Sequence, residues 1–447
     1  MCADRPSRTY SLPREPCRSL SALHPTAGLP SGSTAIPILL TILLWASCVI
    51  SAGVLLYWGA VIYHVVRTWL FIPSARAGLK HPLSETDWPS VCVIVPAHNE
   101  QSCIGHVAAS LLQQEYPADR LSLVFALDRC TDQTESVLRQ SLGAAADTRA
   151  RIVTITQCPD GWAGKVNALW TAVNSAPAAR AADVLLFADA DTSLDPLCLK
   201  ACLGLMHHRR IEMLSLLSTL TRDTWFELVA QPVAGMELIR MYPMTRTNFP
   251  SQERPFANGQ FIMIRRDAYD RFEGHKAVHW AVLEDVELAR AADRAKVPLG
   301  VFLADGLLHC RMYANWAEFR RGWKRIFTES ANRKRSRLTG IAWRLRLFGI
   351  VFPALAAAGG IAGLALRAIG SGGGVVDWAL GLGLAAVLFF FSAIFACASL
   401  GSTPLIGVPT FPVGAWLLSR ILTEAAADLR KGIPTQWAGM TYNRSAR

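Results

Sequence analysis

The chain has 447 residues, with 45 lysines and arginines against 34 aspartates and glutamates, so its formal net charge is +11. Hydrophobic residues make up 51% of it and charged residues only 18%, whereas charged residues are about a quarter of a typical soluble chain. This composition excludes a disordered or collagen-like protein and argues against a purely soluble enzyme.

The first predicted element is a membrane anchor. Residues 1–35 form a leader that we expect to be disordered. Residues 36–66 are almost wholly apolar and exceed the about 20 residues that a bilayer crossing needs. The leader is long for a cleavable signal peptide, and no clear A-x-A site ends the apolar run. The pattern therefore predicts an uncleaved transmembrane anchor at residues 36–66.

Residues 88–336 are predicted to form an α/β domain. Short apolar, β-branched runs alternate there with helical segments. The predicted strands are Val91–Val95, Leu121–Leu127, Arg151–Thr156, Val184–Ala188 and Phe261–Ile264. This alternation predicts a mostly parallel sheet wrapped by helices, and in such sheets ligands bind beyond the carboxyl ends of the strands.

Polar residues follow four consecutive predicted strands, in the segments PAHNE, DRCTD, GWAGK and DAD. Asp189 and Asp191 are two apart on extended backbone, so their carboxylates point the same way. Such a pair suits Mg²⁺ or Mn²⁺, with substrate phosphates completing the ligand set. The glycines before Lys165 open a helix and let N–H groups approach a phosphate, although a tight turn with a surface lysine is the alternative.

Two further motifs come later in the domain. Asn258-Gly259-Gln260 precedes an apolar strand, and Glu284-Asp285 begins a helix. One of the two acids is a candidate general base for a hydroxyl nucleophile, although compensation of the helix dipole is the alternative. The helix terminus should lower the pKa of such an acid and its neighbour should raise it, so the pattern leaves the net shift open. Residues 225–242 carry an apolar stripe, which predicts a helix that packs in the core or lies on the membrane.

The C-terminal region, residues 345–423, is predicted to hold two spans plus a re-entrant, interfacial or third spanning segment, followed by a tail at 424–447. Positive charges flank the domain, at Arg67 on one side and at residues 333–346 on the other, which predicts a cytoplasmic domain. The tail is also basic, so we expect the proline-rich segment Leu405–Leu418 not to cross fully and the N-terminus to lie outside. The chain is thus predicted to be a multi-pass protein of the cell (inner) membrane.

The ordered segments PAHNE, LDRCTD, GWAGK, DAD, NGQ and LED resemble those of family-2 glycosyltransferases over about residues 90–329. The flanking anchors and the tail residues 437–442 are similar to the membrane-bound subset that glycosylates lipids, such as hopanoid-associated and diaponeurosporenoate-type carotenoid glycosyltransferases. The resemblance implies a GT-A nucleotide-diphospho-sugar transferase fold with N- and C-terminal transmembrane helices.

The same resemblance implies roles for individual residues. It gives the donor contacts as Pro96, Ala97, Glu100, Asp128, Lys165 and Asp189. It gives Asp189 and Asp191 as metal ligands and Asp285, beside Glu284, as the catalytic base. We place Asn258, Gly259, Gln260 and Trp323 on the acceptor side.

The implied reaction is a metal-dependent, inverting transfer from a nucleotide-sugar to the hydroxyl or carboxyl group of a membrane lipid. Processive members carry Q-x-x-R-W after the base, but residues 320–325 read RRGWKR, which favours one sugar per turnover. A processive polysaccharide synthase and a non-catalytic nucleotide-sugar-binding protein are the alternatives. No motif indicates a nucleic-acid partner, and the sequence is silent on oligomeric state.

Overall fold

The computed structural model describes residues 38–248, 254–400, 405–437 and 440–442, and the leader at residues 1–35 lies outside the described residues. Its strands are β1 (Val91–Ala97), β2 (Leu121–Asp128), β3 (Ala150–Ile155), β4 (Val184–Ala188), β5 (Thr192–Leu194), β6 (Met213–Leu217), β7 (Thr219–Leu220), β8 (Phe261–Arg265), β9 (Leu299–Leu303), β10 (Leu308–Cys310), β11 (Thr435–Trp437) and β12 (Met440–Tyr442).

The helices fall into an anchor, a set that covers the sheet, and a C-terminal set. The first two groups are α1 (Ile38–Phe71), then α2 (Ile104–Leu112), α3 (Thr134–Leu142), α4 (Ala145–Thr148), α5 (Gly164–Ser175), α6 (Pro177–Ala181), α7 (Cys198–Arg209), α8 (Trp225–Val229), α9 (Gln231–Met241), α10 (Met244–Thr247), α11 (Arg266–Asp270) and α12 (Glu284–Arg294). The C-terminal group is α13 (Trp316–Ser330), α14 (Arg335–Arg346), α15 (Phe352–Ala368), α16 (Val375–Leu400) and α17 (Phe411–Lys431).

Seven strands form the central sheet in the order β3-β2-β1-β4-β8-β6-β9. Only β8 runs antiparallel to its neighbours, β4 and β6. The inner strands are apolar throughout because helices cover both faces, and every residue of β1 is buried. A second sheet, β5-β10-β7, lies beyond the end of β4. This is the mostly parallel, helix-wrapped GT-A arrangement that the sequence predicts.

Three helices within the described ranges are long and apolar enough to cross a membrane: Ile38–Phe71, Arg335–Ala368 and Val375–Leu400. The second is continuous from α14 into α15 through a π-helical turn at Leu347–Val351. The indole of Trp58 on α1 donates to the carbonyl of Phe348 in that turn, at 3.1 Å. The apolar runs that the sequence shows on both sides of the α/β domain therefore fold as helices.

Glycines allow α15 and α16 to approach closely. A Cβ at Gly383 would lie 2.6 Å from the carbonyl oxygen of Ala356 and 2.7 Å from the nitrogen of Gly360. A Cβ at Gly363 would lie 2.8 Å from the nitrogen of Leu380. Small residues that bring backbones together are the usual basis of helix association in lipid.

Replacing Gly383 with valine should therefore separate α15 from α16 and destabilise the protein by about 1–3 kcal/mol, the usual cost of overpacking. Thermal unfolding of the purified chain in detergent measures the effect. Gly381→Val is the matched control, because Gly381 lies on the same helix with open space around its Cβ position. Equal melting temperatures for the two variants would contradict the packing.

The last helix, α17, lies against the α/β domain and α14. Glutamate and aspartate on it pair with basic residues of α13, with Arg320–Glu424 at 2.7 Å and Lys324–Asp428 at 2.6 Å. It is amphipathic and is not one of the three membrane-length apolar helices of the described chain. That Leu405–Leu418 does not cross the membrane stays a prediction.

The apolar segment 225–242 is two helices, so the prediction of one helix is wrong. The first, α8, ends at Val229, and α9 begins at Gln231 with Pro232 in its first turn. A proline lacks an N–H and is tolerated in the first turn of a helix but not in its interior. Pro232 therefore lies at the start of a separate helix.

Candidate active site

Lys165 joins two of the predicted acidic motifs into one cluster. It lies in the first turn of α5, and its Nζ is 2.7 Å from Asp189 Oδ1 and 2.6 Å from Glu284 Oε1. Burial alone would lower the pKa of Lys165, but the charges of Asp189 and Glu284 raise it. Burial would likewise raise the pKa of Glu284, but the Lys165 ammonium and its hydrogen bond lower it. Lys165 and Glu284 thus hold each other in their charged forms, whereas burial raises the pKa of Asp189 despite the Lys165 ammonium.

Asp285 is held differently from its neighbour. Its Oδ2 accepts a hydrogen bond from the Gly259 N–H at 2.8 Å, and its Oδ1 accepts one from the Val286 N–H at 2.8 Å. Burial, and then the negative charge of Glu284, raise the pKa of Asp285 to about 7. A carboxylate with a pKa near neutrality and a fixed orientation is suited to accept a proton at physiological pH. The sign of this shift could not be decided from the sequence.

Gly259 lies where even one added carbon atom would be tightly packed. A Cβ there would be 3.2 Å from Asp285 Oδ2, 3.2 Å from Glu284 Oε1 and 3.3 Å from Lys165 Nζ. The glycine of the NGQ motif therefore lets the backbone approach both acids and the lysine at once.

Adding that methyl group should displace the reacting groups without unfolding the domain. We expect Gly259→Ala to lower kcat by about tenfold, because its contacts would push the reacting groups by a few tenths of an ångström and a misplacement of about 1 Å can cost about 100-fold. Gly235→Ala serves as the control, since nothing surrounds its Cβ position on α9. An unchanged kcat in a Gly259→Ala protein that melts normally would contradict this reading of the motif.

Asp191 presents the feature that best fits a metal ion. Its Oδ1 is buried and has no hydrogen-bond partner. Burial, followed by the charges of Asp189 and Glu100, raises the pKa of Asp191 to about 7. A buried carboxylate oxygen without a hydrogen-bond partner is suited to bind a divalent cation. No three His, Cys, Asp or Glu side chains meet as a metal site in the described part of the chain, so phosphate and water would supply the other ligands.

The carboxyl ends of β1 and β2 lie on one side of β4 in the sheet, away from β8. Pro96 and Ala97 are the last residues of β1 and lie beside Ala126 and Leu127 of β2. Asp128 ends β2, and both of its oxygens accept hydrogen bonds from Arg129, at 2.9 and 2.6 Å. Arg129 is not among the site residues predicted from the sequence. Its guanidinium lies beside Asp128 at this end of the sheet.

Glu100 and the amides of the NGQ motif bond within the protein. Glu100 accepts a hydrogen bond from the Cys103 thiol at 3.1 Å. The Asn258 amide donates to the Leu216 carbonyl at 2.8 Å, and the Gln260 amide donates to Cys310 Sγ at 3.0 Å. These amides hold the loop that carries Gly259, and their contact with an acceptor stays a prediction.

Helix α13 crosses the site and brings residues that the motif search missed. Arg325 is partly buried there; desolvation lowers the pKa of its guanidinium, while Tyr313, Glu284, Asp285 and Asp189 counteract that shift. Trp323 is only 2% exposed and packs within α13 and its neighbours rather than facing the carboxylates. The RRGWKR segment contained the signal for Arg325, but its spacing does not show which basic residue turns inward.

Comparisons with known proteins identify the family. The family model described as glycosyltransferase-like family 2 matches residues 89–322, more than half of the 447-residue chain. A 4,4'-diaponeurosporenoate glycosyltransferase of Staphylococcus aureus is 27% identical over 290 residues, which cover 62% of this chain and 71% of the relative.

Two solved structures are similar in outline. A mannosyltransferase of Pyrobaculum calidifontis, solved with GDP-Man and Mn²⁺, is 17% identical and covers 87% of this chain and 98% of its own, with a TM-score of 0.46. The glucosyl-3-phosphoglycerate synthase of Mycobacterium tuberculosis, in complex with Mn²⁺, UDP-glucose and phosphoglyceric acid, is 19% identical and covers 58% of this chain and 82% of its own, with a TM-score of 0.35.

Proposed function

This chain belongs to glycosyltransferase-like family 2, and we propose that it transfers one sugar from a nucleotide-diphospho-sugar to a hydroxyl group of a membrane lipid, with inversion at the anomeric carbon. One observation carries the proposal: a lysine, an unpartnered aspartate oxygen and a separately oriented aspartate share one cleft, in a chain with three membrane-length apolar helices. These are the groups that a donor diphosphate and an acceptor hydroxyl require.

The donor would lie between the ends of β1, β2 and β4. Pro96, Ala97 and Asp128 would border the nucleotide, and Lys165, at the first turn of α5, would contact the diphosphate. Asp189 and Asp191 would hold Mg²⁺ or Mn²⁺, which when bound supplies positive charge against the leaving diphosphate.

Asp285 would be the base of the transfer. It would take the proton of the acceptor hydroxyl while the oxygen forms a bond to the anomeric carbon and the bond to the diphosphate breaks. The rest of the donor, without its sugar, leaves as a nucleoside diphosphate. The two backbone hydrogen bonds to the Asp285 carboxylate would keep that side chain in a fixed orientation, while Glu284 holds Lys165.

A lipid acceptor is supported by the apolar helices and by the diaponeurosporenoate named in the Staphylococcus relative. A hydroxyl needs a base, whereas a lipid carboxyl group is already ionised at neutral pH. The pKa of Asp285 near 7 and its fixed orientation favour a hydroxyl acceptor.

We further propose that the α/β domain faces the cytoplasm, where nucleotide-sugars are made, and that the C-terminus lies on the same side. A reporter enzyme that works only in the cytoplasm should then be active when it is fused after Arg447. A reporter that works only outside the cell membrane should be inactive there. Fusions within residues 370–374, between α15 and α16, are the control and should report the outside. An external C-terminus would mean that α17 crosses the membrane, and it would leave the catalytic assignment untouched.

Lipid analysis of cells tests the function as a whole. Extracts from cells with and without the gene should differ by a lipid that carries one added hexose mass. The alternative of a polysaccharide synthase predicts instead a missing polymer with unchanged lipids, and a pure binding protein predicts neither change.

A further inference from the structure

Aromatic side chains of α8, of the segment after β10 and of α13 form a continuous run of ring contacts. The centroids of Trp225 and Trp316 are 5.0 Å apart, and Trp316 stacks on Phe319 at 5.2 Å. Phe319 contacts Tyr313 at 5.7 Å and Trp323 at 6.1 Å. We call these five side chains the aromatic ladder.

The sequence of α13 explains why these rings share one face. Trp316, Phe319 and Trp323 are spaced by three and four residues, so they lie on one side of the helix. Gly322 leaves the space that the Tyr313 ring occupies, because a Cβ at Gly322 would overlap that ring.

The inner end of the ladder is tied to the proposed donor site. The Arg311 N–H donates to the carbonyl of Asp191 at 3.1 Å, and Tyr313 follows two residues later. Glu227 of α8 accepts a hydrogen bond from the Thr221 hydroxyl at 2.6 Å, and the Thr221 N–H donates to the Cys310 carbonyl at 3.1 Å. Both aromatic segments are therefore attached to the strand beside Asp191.

The outer end reaches the membrane side of the domain. Trp225 is 54% exposed, and α8 contacts the segment Leu405–Gly407, which follows the third membrane-length helix in the chain. Leu405 and Ile406 in that segment are 66% and 56% exposed. The exposed indole thus lies near exposed apolar residues that follow the third membrane-length helix.

One buried polar atom of the ladder lacks a partner. Trp323 is 2% exposed, and its Nε1 has no hydrogen-bond acceptor. Buried donors are nearly always satisfied by protein, water or ligand, so this N–H is available to a water or to a ligand atom.

We propose that the outer end of the aromatic ladder is the acceptor-lipid site: Trp225 and Trp316 hold the hydrocarbon chain, and the buried rings behind them fix these two indoles relative to the strand beside Asp191. The inference rests on the proposed function and names the place on the protein where the long hydrocarbon chain of the acceptor lipid binds. Flat aromatic rings favour such chains through extended apolar contact. Continuity with the apolar helices favours a lipid over a protein partner.

Photocrosslinking tests the site directly. The full-length protein in phosphatidylcholine nanodiscs is irradiated with geranylgeraniol that carries a diazirine, and adducts are mapped by mass spectrometry. We expect adducts on α8 and α13 that excess unlabelled geranylgeraniol removes. Replacing Trp225 and Trp316 with alanine should lower these adducts about five- to tenfold, the effect of losing two ring contacts.

The matched control is Trp378→Ala, because Trp378 is 61% exposed but lies at the start of α16. It should leave the adducts on α8 and α13 unchanged. Adducts confined to α1, α15 and α16, or adducts on α8 and α13 that survive the double substitution, would overturn the proposal.

A second measurement separates this proposal from the proposed function. Slow hydrolysis of the donor without acceptor should persist in the Trp225→Ala, Trp316→Ala protein, while the KM for a lipid acceptor rises. Specific adducts in a protein that never turns over a nucleotide-sugar would support the ladder and contradict the function. Normal lipid transfer with an unchanged acceptor KM in the double variant would contradict the ladder alone.

Discussion

Replacing Asp285 with asparagine is expected to lower sugar transfer by about 10²- to 10⁴-fold, the usual contribution of a general base. The amide cannot accept the acceptor's proton, but donor binding should be nearly unchanged because Lys165, Asp189 and Glu284 stay in place. Single-turnover transfer and donor affinity, measured on the same preparation, separate the two effects.

Asp293→Asn on the same helix, α12, is the control and should transfer normally. The wild-type pH profile gives a second check. Only the ionised form of Asp285 accepts a proton, so kcat/KM should fall tenfold per pH unit below about 7 and level off above it. A variant with weak donor binding but normal turnover at saturation would show that Asp285 is not the base.

Replacing Asp191 with asparagine should abolish donor turnover. It would remove one of two candidate anionic ligands, and the remaining one, Asp189, is already paired with Lys165. Wild-type activity should require Mg²⁺ or Mn²⁺ and disappear in chelator. Binding of Mn²⁺, measured by electron paramagnetic resonance, should be lost in the variant.

Asp160→Asn, an exposed carboxylate of the loop before Lys165, is the control for this experiment and should bind Mn²⁺ normally. Full activity of the wild-type chain in chelator would show that the reaction does not need a metal ion. Asp191 would then need another explanation for its unpartnered oxygen.

Much of the α/β domain follows from local pattern. The apolar strands and the polar residues at their ends are contiguous in sequence, and the parallel sheet brings Lys165, Asp189 and Asp285 to one edge. The sequence pattern does not reveal the contacts between distant segments of the chain. The Lys165–Glu284 pair joins residues more than a hundred positions apart, and no spacing rule reveals it.

Other differences between the predicted and the observed helices have causes in the local sequence. Pro232 marks a helix start inside an apolar stripe. The last helix continues from the charge-free run to Lys431, because absence of charge is a criterion for membrane burial and not for helix length. Its charged half is stabilised against α13 by pairs such as Lys324–Asp428, and those depend on tertiary packing.

The central claim is that this cleft transfers a sugar to a membrane lipid. The most direct measurement incubates the purified full-length chain in lipid nanodiscs with a radiolabelled nucleotide-sugar and divalent metal, and then partitions the products. The account predicts label in the organic, lipid phase with an equal amount of released nucleoside diphosphate, and neither product with Asp285→Asn. Label found only in an aqueous polymer or in free sugar would contradict it.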